Sequence, residues 1–155
     1  MNRPKELYHA STVVDVEVFE PRNEYPRYPG EPNLVFATPH KALAAMFLAP
    51  DDFAKEIAVY GDRYVIFING TEENHKAADR AGAIYTLPVE TFETDASRGM
   101  GEVEWYSEVA VRPISKMVYK SSIEAMDELG VERYYVNDEV FRKIQANPAD
   151  ALSLV

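Results

Sequence analysis

The feature that most constrains the fold is a pair of apolar runs separated by a two-residue turn. Residues 56–60 and 63–69 are rich in β-branched and aromatic side chains, and Gly61-Asp62 lies between them. Such runs around a glycine-containing dipeptide are typical of a β-hairpin. The second run is apolar at almost every position, which predicts a strand covered on both faces. Other elements must therefore pack on each side of this hairpin.

The rest of the chain mixes strands and helices without regular alternation. Apolar or alternating patterns predict further strands over residues 6–12, 13–19, 34–38, 83–87, 102–111 and 131–136. Residues 113–119 are expected to continue as an extended segment. Capping residues and helical periodicity predict helices over residues 39–48, 71–81, 121–129 and 138–146. This order favours an α+β fold over a doubly wound one. A chain of 155 residues predicts a single domain spanning residues 1–155.

Composition narrows the classes of partner. Sixteen Lys and Arg against 26 Asp and Glu give a net charge of −10, which disfavours extended nucleic-acid binding and anionic membrane surfaces. The chain has no cysteine, so thiolate chemistry is excluded. No apolar run approaches the ~18 residues that a membrane span needs. Residues 1–6 are not followed by an apolar signal region, so we expect a cytoplasmic protein without membrane association.

A row of acidic residues marks the predicted strand 102–111. Side chains alternate along a strand, so Glu102, Glu104, Tyr106 and Glu108 are expected on one face, with apolar residues on the other. In an acidic protein such a row can be a solvated sheet face. It can also present one carboxylate to a cleft, with a pKa raised by its neighbours. Both interpretations stay open, and so does the choice among the three acids.

The first predicted strand carries the sequence Tyr8-His9-Ala10-Ser11. Ala10 is small enough for a ligand to approach the backbone, and Ser11 supplies a hydroxyl group. His9 alone is equally compatible with a histidine that makes one structural hydrogen bond. Metal-binding spacing and glycine-rich phosphate loops are missing from the sequence. A Ser-His-Asp triad is neither marked nor excluded.

A second short strand, residues 34–38, runs directly into the helix predicted over residues 39–48. Thr38 is a suitable helix cap, and the following Pro39 suits the first turn. Most of this helix is apolar and is expected in the core, including Phe47 near its end. The loop at residues 21–32 contains four prolines, and long loops of this kind often contribute to binding sites.

These stretches together resemble the ADP-ribosyltransferase superfamily. Tyr8-His9-Ala10-Ser11 is similar to the Tyr-His-Gly-Ser/Thr strand of its His-type branch, with alanine replacing glycine. Residues 34–38 and the helix that follows are similar to its second motif, although Val35 stands where the family has a tyrosine. Glu104 matches the glutamate of its late strand. The resemblance implies two small antiparallel or mixed sheets that form an NAD-binding cleft with short flanking helices.

The resemblance also implies roles for individual residues. Glu104 would be catalytic, with Glu102 and Glu108 as alternatives. NAD would be bound by residues of the first two motifs, with His9 on the ribose, the Ala10 backbone on the carboxamide and an aromatic ring stacking at Phe47, or Met46 in its place. The cofactor-binding residues implied in this way are His9, Ala10, Ser11, Phe36, Thr38 and Phe47.

The function implied is transfer of ADP-ribose from NAD to an acceptor or to water. A protein acceptor is more expected than a nucleic acid, because the net charge of the chain is −10. The leading alternative is a non-catalytic module of the same fold that binds a nucleotide or a partner protein. Transfer of an RNA 2′-phosphate to NAD would need clustered arginines, whereas the arginines here are scattered. An acidic inhibitory protein that binds no NAD is the remaining alternative.

Overall fold

The computed structural model describes residues 3–22, 28–94 and 103–155. Within these residues the strands are β1 Leu7–Ser11, β2 Val35–Ala37, β3 Lys55–Tyr60, β4 Arg63–Asn69, β5 Gly82–Leu87, β6 Phe92–Glu93, β7 Trp105–Ser107, β8 Ser115–Tyr119 and β9 Glu132–Val136. The helices are α1 Lys41–Met46, α2 Glu72–Ala78, α3 Ser122–Glu128, α4 Asp138–Ala146 and a 3-10 helix Pro148–Leu154.

The strands form three small sheets. Two are antiparallel, with strand orders β1-β5-β8 and β2-β7-β6. The third, β3-β4-β9, is mixed, because β4 pairs antiparallel with β3 and parallel with β9. The predicted α+β class is confirmed. The expectation of two sheets is wrong for the described residues, because the 56–69 hairpin joins β9 in a sheet of its own.

The hairpin prediction is confirmed, including its turn at Gly61 and its covered second strand. Gly61 has φ of +65°, a left-handed conformation that favours glycine. Val65, Ile66, Phe67 and Ile68 of β4 are all essentially inaccessible to solvent. One face of β4 packs against the cluster that includes α1 and α3, and the other packs against α4 and the 3-10 helix. β4 therefore lies between these two buried clusters.

The first two sheets meet where β1 passes the end of β2. The backbone N–H of Tyr8 donates to the carbonyl of Thr38 over 2.7 Å, and the N–H of Thr38 donates to the carbonyl of Tyr8 over 2.9 Å. Two sequence motifs that are about thirty residues apart are joined at this bridge. Leu7, Val35 and Ala37 lie beneath it in a common buried cluster.

Two predicted strands are wrong or too long. Residues 13–19 form no strand, because side chains rather than a neighbouring strand bind their carbonyls: the Tyr85 hydroxyl donates to Val13, and the Lys116 ammonium donates to Val14. Phe19 alone forms an isolated bridge, to Val111. The strand predicted over 102–111 is reduced to β7 in the described residues.

The helix predicted over 39–48 is shorter than expected. His40, not Thr38, occupies the capping position before α1, and the Thr38 hydroxyl accepts a bond from the His40 N–H. At the other end Phe47, Leu48 and Ala49 follow as tight turns bonded three residues back. The helix predicted over 138–146 is confirmed residue for residue as α4.

Two parts of the sequence predictions lie outside the described residues: residues 23–27 of the predicted loop, and residues 95–102, which include Glu102. Among the helices that the structure describes, none has the length and apolar character to cross a membrane.

Candidate functional site

A cavity of about 610 Å³ opens beside the junction of β1 and β2. Its walls are the side of β1, the segment that follows β1, and β2. Its described lining residues are His9, Ser11, Val13, Val16, Glu17, Val18, Phe19, Glu20, Arg22, Leu34, Val35 and Phe36. Cavities that hold small molecules typically have volumes of about 300–1,000 Å³, so this one has a suitable size.

His9 is oriented by a backbone carbonyl on the neighbouring sheet. Its Nδ1 lies 2.6 Å from the carbonyl oxygen of Phe36. A carbonyl oxygen only accepts, so Nδ1 carries the proton and the neutral ring presents Nε2 as its acceptor. Burial lowers the pKa of His9, and the bond to Phe36 opposes this shift without cancelling it. His9 is therefore a neutral hydrogen-bond acceptor at neutral pH.

An aromatic pair supports the cavity wall behind His9. The ring of Phe19 lies 4.6 Å from the His9 ring, and the buried Tyr85 meets Phe19 edge-on at 5.0 Å. The Tyr85 hydroxyl donates to the carbonyl of Val13 over 2.5 Å and accepts from the N–H of Val16 over 3.0 Å. Tyr85 thus fixes both the Phe19 wall and the turn over the cavity.

The far side of the cavity is anchored by backbone bridges. Phe19 and Val111 exchange two backbone bonds of 2.8 and 2.9 Å, and Arg22 and Leu34 exchange two of 3.0 and 3.1 Å. The segment that follows β1 is therefore attached at several points although it is not a strand.

Charged side chains of both signs line the cavity mouth. Glu17, Glu20 and Arg22 are exposed lining residues. A guanidinium group binds phosphate oxygens well, whereas the two carboxylates favour hydroxyl groups or cations. These three side chains carry a net charge of −1, and Arg22 is the one Lys or Arg among the described lining residues that could bind a phosphate.

The structure brings together only part of the predicted cofactor set. His9, Ser11 and Phe36 line the cavity, whereas Ala10, Thr38 and Phe47 are not among its described lining residues. Ala10 packs against the core cluster that includes α1, and Thr38 is buried at the β1–β2 bridge. Phe47 lies just after α1 and is 55% exposed, so the expectation that it packs in the core is wrong. Contact of these three residues with a ligand stays a prediction.

Glu104 lies immediately before β7, next to the junction but outside the described cavity lining. Trp105 is opposite Ala37 in the ladder, so Glu104 follows on the neighbouring strand beside Thr38. Its carbonyl accepts a bond of 3.0 Å from the Thr94 hydroxyl, which fixes the backbone there. Glu108 is exposed beyond the other end of β7.

Val35 occupies the position where the resemblance expects a tyrosine. Its side chain is 3% exposed and belongs to the cluster that also contains Trp105. An aromatic ring at this position would have to enter the core. The neighbouring Phe36, which is half-buried, is the aromatic side chain that β2 contributes to the cavity.

A second group of polar side chains, which the sequence did not reveal, lies between α2, α3 and β9, with His75 and Ser122 fully buried. We call it the His75 network. The Arg133 Nε donates to the Tyr135 hydroxyl over 3.2 Å, and Tyr135 lies 2.7 Å from His75 Nδ1. His75 Nε2 lies 2.9 Å from the Ser122 hydroxyl, which donates to Asp79 over 2.6 Å. All donors therefore point from Arg133 towards Asp79, and His75 is neutral.

The His75 network contains Ser, His and Asp but is not a hydrolytic triad. In a triad the aspartate orients the histidine, which accepts the proton of the serine. Here the Ser122 hydroxyl donates to Asp79, and both His75 and Ser122 have no exposed surface. Ser122 follows His75 by 47 positions and Asp79 by 43, so no local spacing in the sequence could reveal the group. Their arrangement joins α2 to α3.

Acidification is expected to destabilise the fold through this network. Burial lowers the pKa of His75, and nearby Arg133 and Lys55 lower it further, against opposing effects of Asp79 and Glu72. The unfolded chain therefore takes up protons first, and the free energy of unfolding falls as pH drops below about 6.5. The measurement is urea unfolding at several pH values between about 7.5 and 5.

The control for this pH effect is His75→Gln. This variant starts from a lower stability but is expected to lose less of it over the same pH interval. Part of the slope stays, because burial also lowers the pKa of His9. Equal slopes for the two proteins would contradict the assignment to His75.

Within residues 3–22, 28–94 and 103–155, no three His, Asp or Glu side chains come close enough to hold a metal ion. Comparison with known proteins finds no matching protein family, no matching curated protein and no matching solved structure, so the chemistry of this cavity rests on its own residues.

Proposed function

We propose that this chain is an ADP-ribosyltransferase-like protein that binds NAD in the cavity beside His9. It would transfer ADP-ribose to a protein acceptor or to water. The observation that carries the proposal is the bond between His9 Nδ1 and the Phe36 carbonyl, because it brings two separately identified motifs into one cavity.

The groups around the cavity suit the parts of NAD. His9 Nε2 can accept a bond from a ribose hydroxyl, because Nδ1 carries the proton and donates it to the Phe36 carbonyl. Arg22 at the mouth can bind the diphosphate, and the half-buried ring of Phe36 offers an apolar surface. The cavity volume of about 610 Å³ accommodates a substantial part of such a ligand.

The proposed reaction breaks the bond between ribose C1′ and the nicotinamide nitrogen. The electron pair stays on that nitrogen, and nicotinamide leaves as a neutral molecule. The ribose becomes an oxocarbenium-like cation, which a nearby carboxylate stabilises. An acceptor oxygen or nitrogen then bonds to C1′ and releases its proton. Glu104 would supply the carboxylate where the ligand extends past β2 towards β7.

A non-catalytic module that binds a nucleotide or a partner protein is the second candidate. Two observations favour it: Val35 is buried in place of the expected tyrosine, and Glu104 lies outside the described cavity lining. The two candidates differ in one outcome, because the module binds NAD without releasing nicotinamide.

The binding part of the proposal is tested by calorimetric titration of the protein with NAD. His9→Ala removes the Nε2 acceptor, and we expect NAD affinity to fall about tenfold, the equivalent of one hydrogen bond. His9→Asn also removes the Nε2 acceptor but keeps an N–H donor for the Phe36 carbonyl. It therefore shows whether lost affinity comes from the missing acceptor or from disturbed local structure.

The matched control is His40→Ala. His40 is a half-buried histidine that bonds Tyr64 over 3.0 Å and is not a described lining residue. We expect its removal to leave NAD affinity unchanged. Failure of the wild-type protein to bind millimolar NAD would overturn both the enzyme and the NAD-binding module.

A further inference from the structure

Residues 12–18, which we call the 12–18 segment, form one wall of the cavity without belonging to a sheet. In the described part of the chain no strand pairs with them. Their neighbours at both ends are fixed, because Ser11 ends β1 and Phe19 exchanges two backbone bonds with Val111. The segment contributes the lining residues Val13, Val16, Glu17 and Val18. It is therefore a cover on the cavity that is attached at its two ends.

Three side chains form a row across the β1-β5-β8 sheet on the face that this segment covers. His9 of β1 is opposite Tyr85 of β5, and Tyr85 is opposite Lys116 of β8. Residues that are directly opposite on neighbouring strands project from the same face of a sheet. His9 lines the cavity, whereas the other two side chains bind the covering segment.

Tyr85 and Lys116 hold the middle of the 12–18 segment by its backbone. The Tyr85 hydroxyl donates to the Val13 carbonyl over 2.5 Å and accepts from the Val16 N–H over 3.0 Å. The Lys116 ammonium donates to the Val14 carbonyl. Tyr85 is fully buried, whereas Lys116 is an exposed side chain on a flexible stem. Water can therefore replace the carbonyl at Lys116 more easily than at Tyr85.

Little apolar area holds the segment in place. Val14 and Val16 pack as partly buried side chains on the cluster that contains Val35. The exposed residues of the segment are Thr12, Val13, Asp15 and Glu17. Segments with few buried contacts and few backbone bonds open locally at a lower free energy than the whole protein unfolds. Ligand-binding loops are commonly drawn from such segments.

We propose that the 12–18 segment is a lid that opens between Ser11 and Phe19 to admit a ligand, and that Lys116 controls its opening. Opening breaks the contact between Lys116 and the Val14 carbonyl, and both groups then bind water. Closing restores the contact and covers the cavity. This inference concerns access to the cavity and does not depend on which ligand the cavity binds.

The test measures opening with a single cysteine, because the chain has none of its own. Val35→Cys places a thiol at a lining residue that is 3% exposed, so a thiol reagent reaches it when the lid opens. Lys116→Met keeps the length of the side chain but removes the donor. Added to Val35→Cys, it is expected to raise the labelling rate about tenfold, the equivalent of one hydrogen bond. Tyr85→Phe removes two bonds and should raise the rate further.

Two controls separate lid opening from a general loss of stability. Val65→Cys places the same thiol in β4, where the side chain is inaccessible to solvent, and its labelling rate should not respond to Lys116→Met. Lys143→Met removes an exposed lysine of α4 that pairs with Glu139, and it should leave both rates unchanged. Equal acceleration of Val35→Cys and Val65→Cys, or no acceleration of Val35→Cys, would overturn the proposal.

Hydrogen exchange measures the same opening in a chain without an added cysteine. The Val16 amide, whose acceptor is the Tyr85 hydroxyl, should exchange about tenfold faster in Lys116→Met, with no change at the amides of β4. An unchanged exchange rate at Val16 would show that Lys116 does not control the lid.

Discussion

Asp79→Ala is expected to lower the free energy of unfolding by about 2–4 kcal/mol, through loss of a charged acceptor that binds two backbone N–H groups and a hydroxyl at the start of α3. The Asp79 carboxylate accepts bonds from the Ser122 N–H and hydroxyl, and from the Ile123 N–H, at 2.9, 2.6 and 3.1 Å. Ser121 still caps α3 through its bond from the Glu124 N–H, but removal of Asp79 leaves the Ser122 and Ile123 N–H groups and the Ser122 hydroxyl without their acceptor. Urea unfolding at pH about 7.5 measures the change.

The direction of the Asp79 pKa supports this expectation. Burial alone would raise the pKa of Asp79, but the bonds from Ser122, Ile123 and Arg80 outweigh it and hold the pKa below its ordinary value. A carboxylate whose pKa is lowered by folding stabilises the fold at pH values above its pKa in the unfolded chain. This contribution is lost as the pH falls through the pKa in the folded protein.

Two variants control this experiment. Asp52→Ala removes an exposed aspartate that lies 3.6 Å from Arg80, and we expect a change within about 0.5 kcal/mol. Asp79→Asn keeps one acceptor oxygen but places an amide where Ser122 or Ile123 donates, so it should still be destabilised. A loss in Asp79→Ala no larger than that in Asp52→Ala would show that the His75 network contributes little.

Glu104→Gln is expected to lower the rate of nicotinamide release about a hundredfold or more. Glutamine keeps the size of the side chain but removes the charge that would stabilise the ribosyl cation, and losses of this order follow removal of one electrostatic group. NAD affinity should stay within about threefold, because this carboxylate is proposed to act on the transition state. Nicotinamide release and calorimetric NAD titration measure the two effects separately.

Glu108→Gln is the matched control, since Glu108 is an exposed glutamate just after β7. We expect it to retain the wild-type rate. Equal losses in both variants would contradict a specific role for Glu104. NAD binding without any release by the wild-type protein would instead support the non-catalytic module.

Local sequence patterns predicted the elements whose cause is local. The 56–69 hairpin follows from its turn and apolar runs, and α4 begins at its Asn137 cap, which accepts from Val140 N–H. The continuous apolar run of β4 also predicted the covering of both its faces. These features depend on residues that are close together in the chain, and so a local sequence pattern can predict them.

Features that depend on distant partners were predicted wrongly or missed. Residues 13–19 alternate like a strand, but Tyr85 and Lys116 bind their carbonyls from other strands. The third sheet needs β9 to pair with β4 across about 65 residues. The His75 network likewise joins three elements. Tertiary contacts of this kind override local propensity.

The candidate site shows the same division. His9 was singled out by its strand motif, but its orientation depends on the carbonyl of Phe36, which no pattern shows. Tyr85, which fixes the cavity wall, carried no sequence signal beyond an apolar strand. Ala10 and His9 are adjacent, yet one faces the α1 core and the other the cavity.

The most direct test of the account is a titration of the labelled protein with NAD, followed by amide NMR spectra. Binding in the proposed cavity predicts concentration-dependent shifts that cluster at residues 9–11, 13–22 and 34–36, with little change in the β3-β4-β9 sheet. Shifts confined to that sheet, or none at millimolar NAD, would contradict the central claim that this cavity is a nucleotide site.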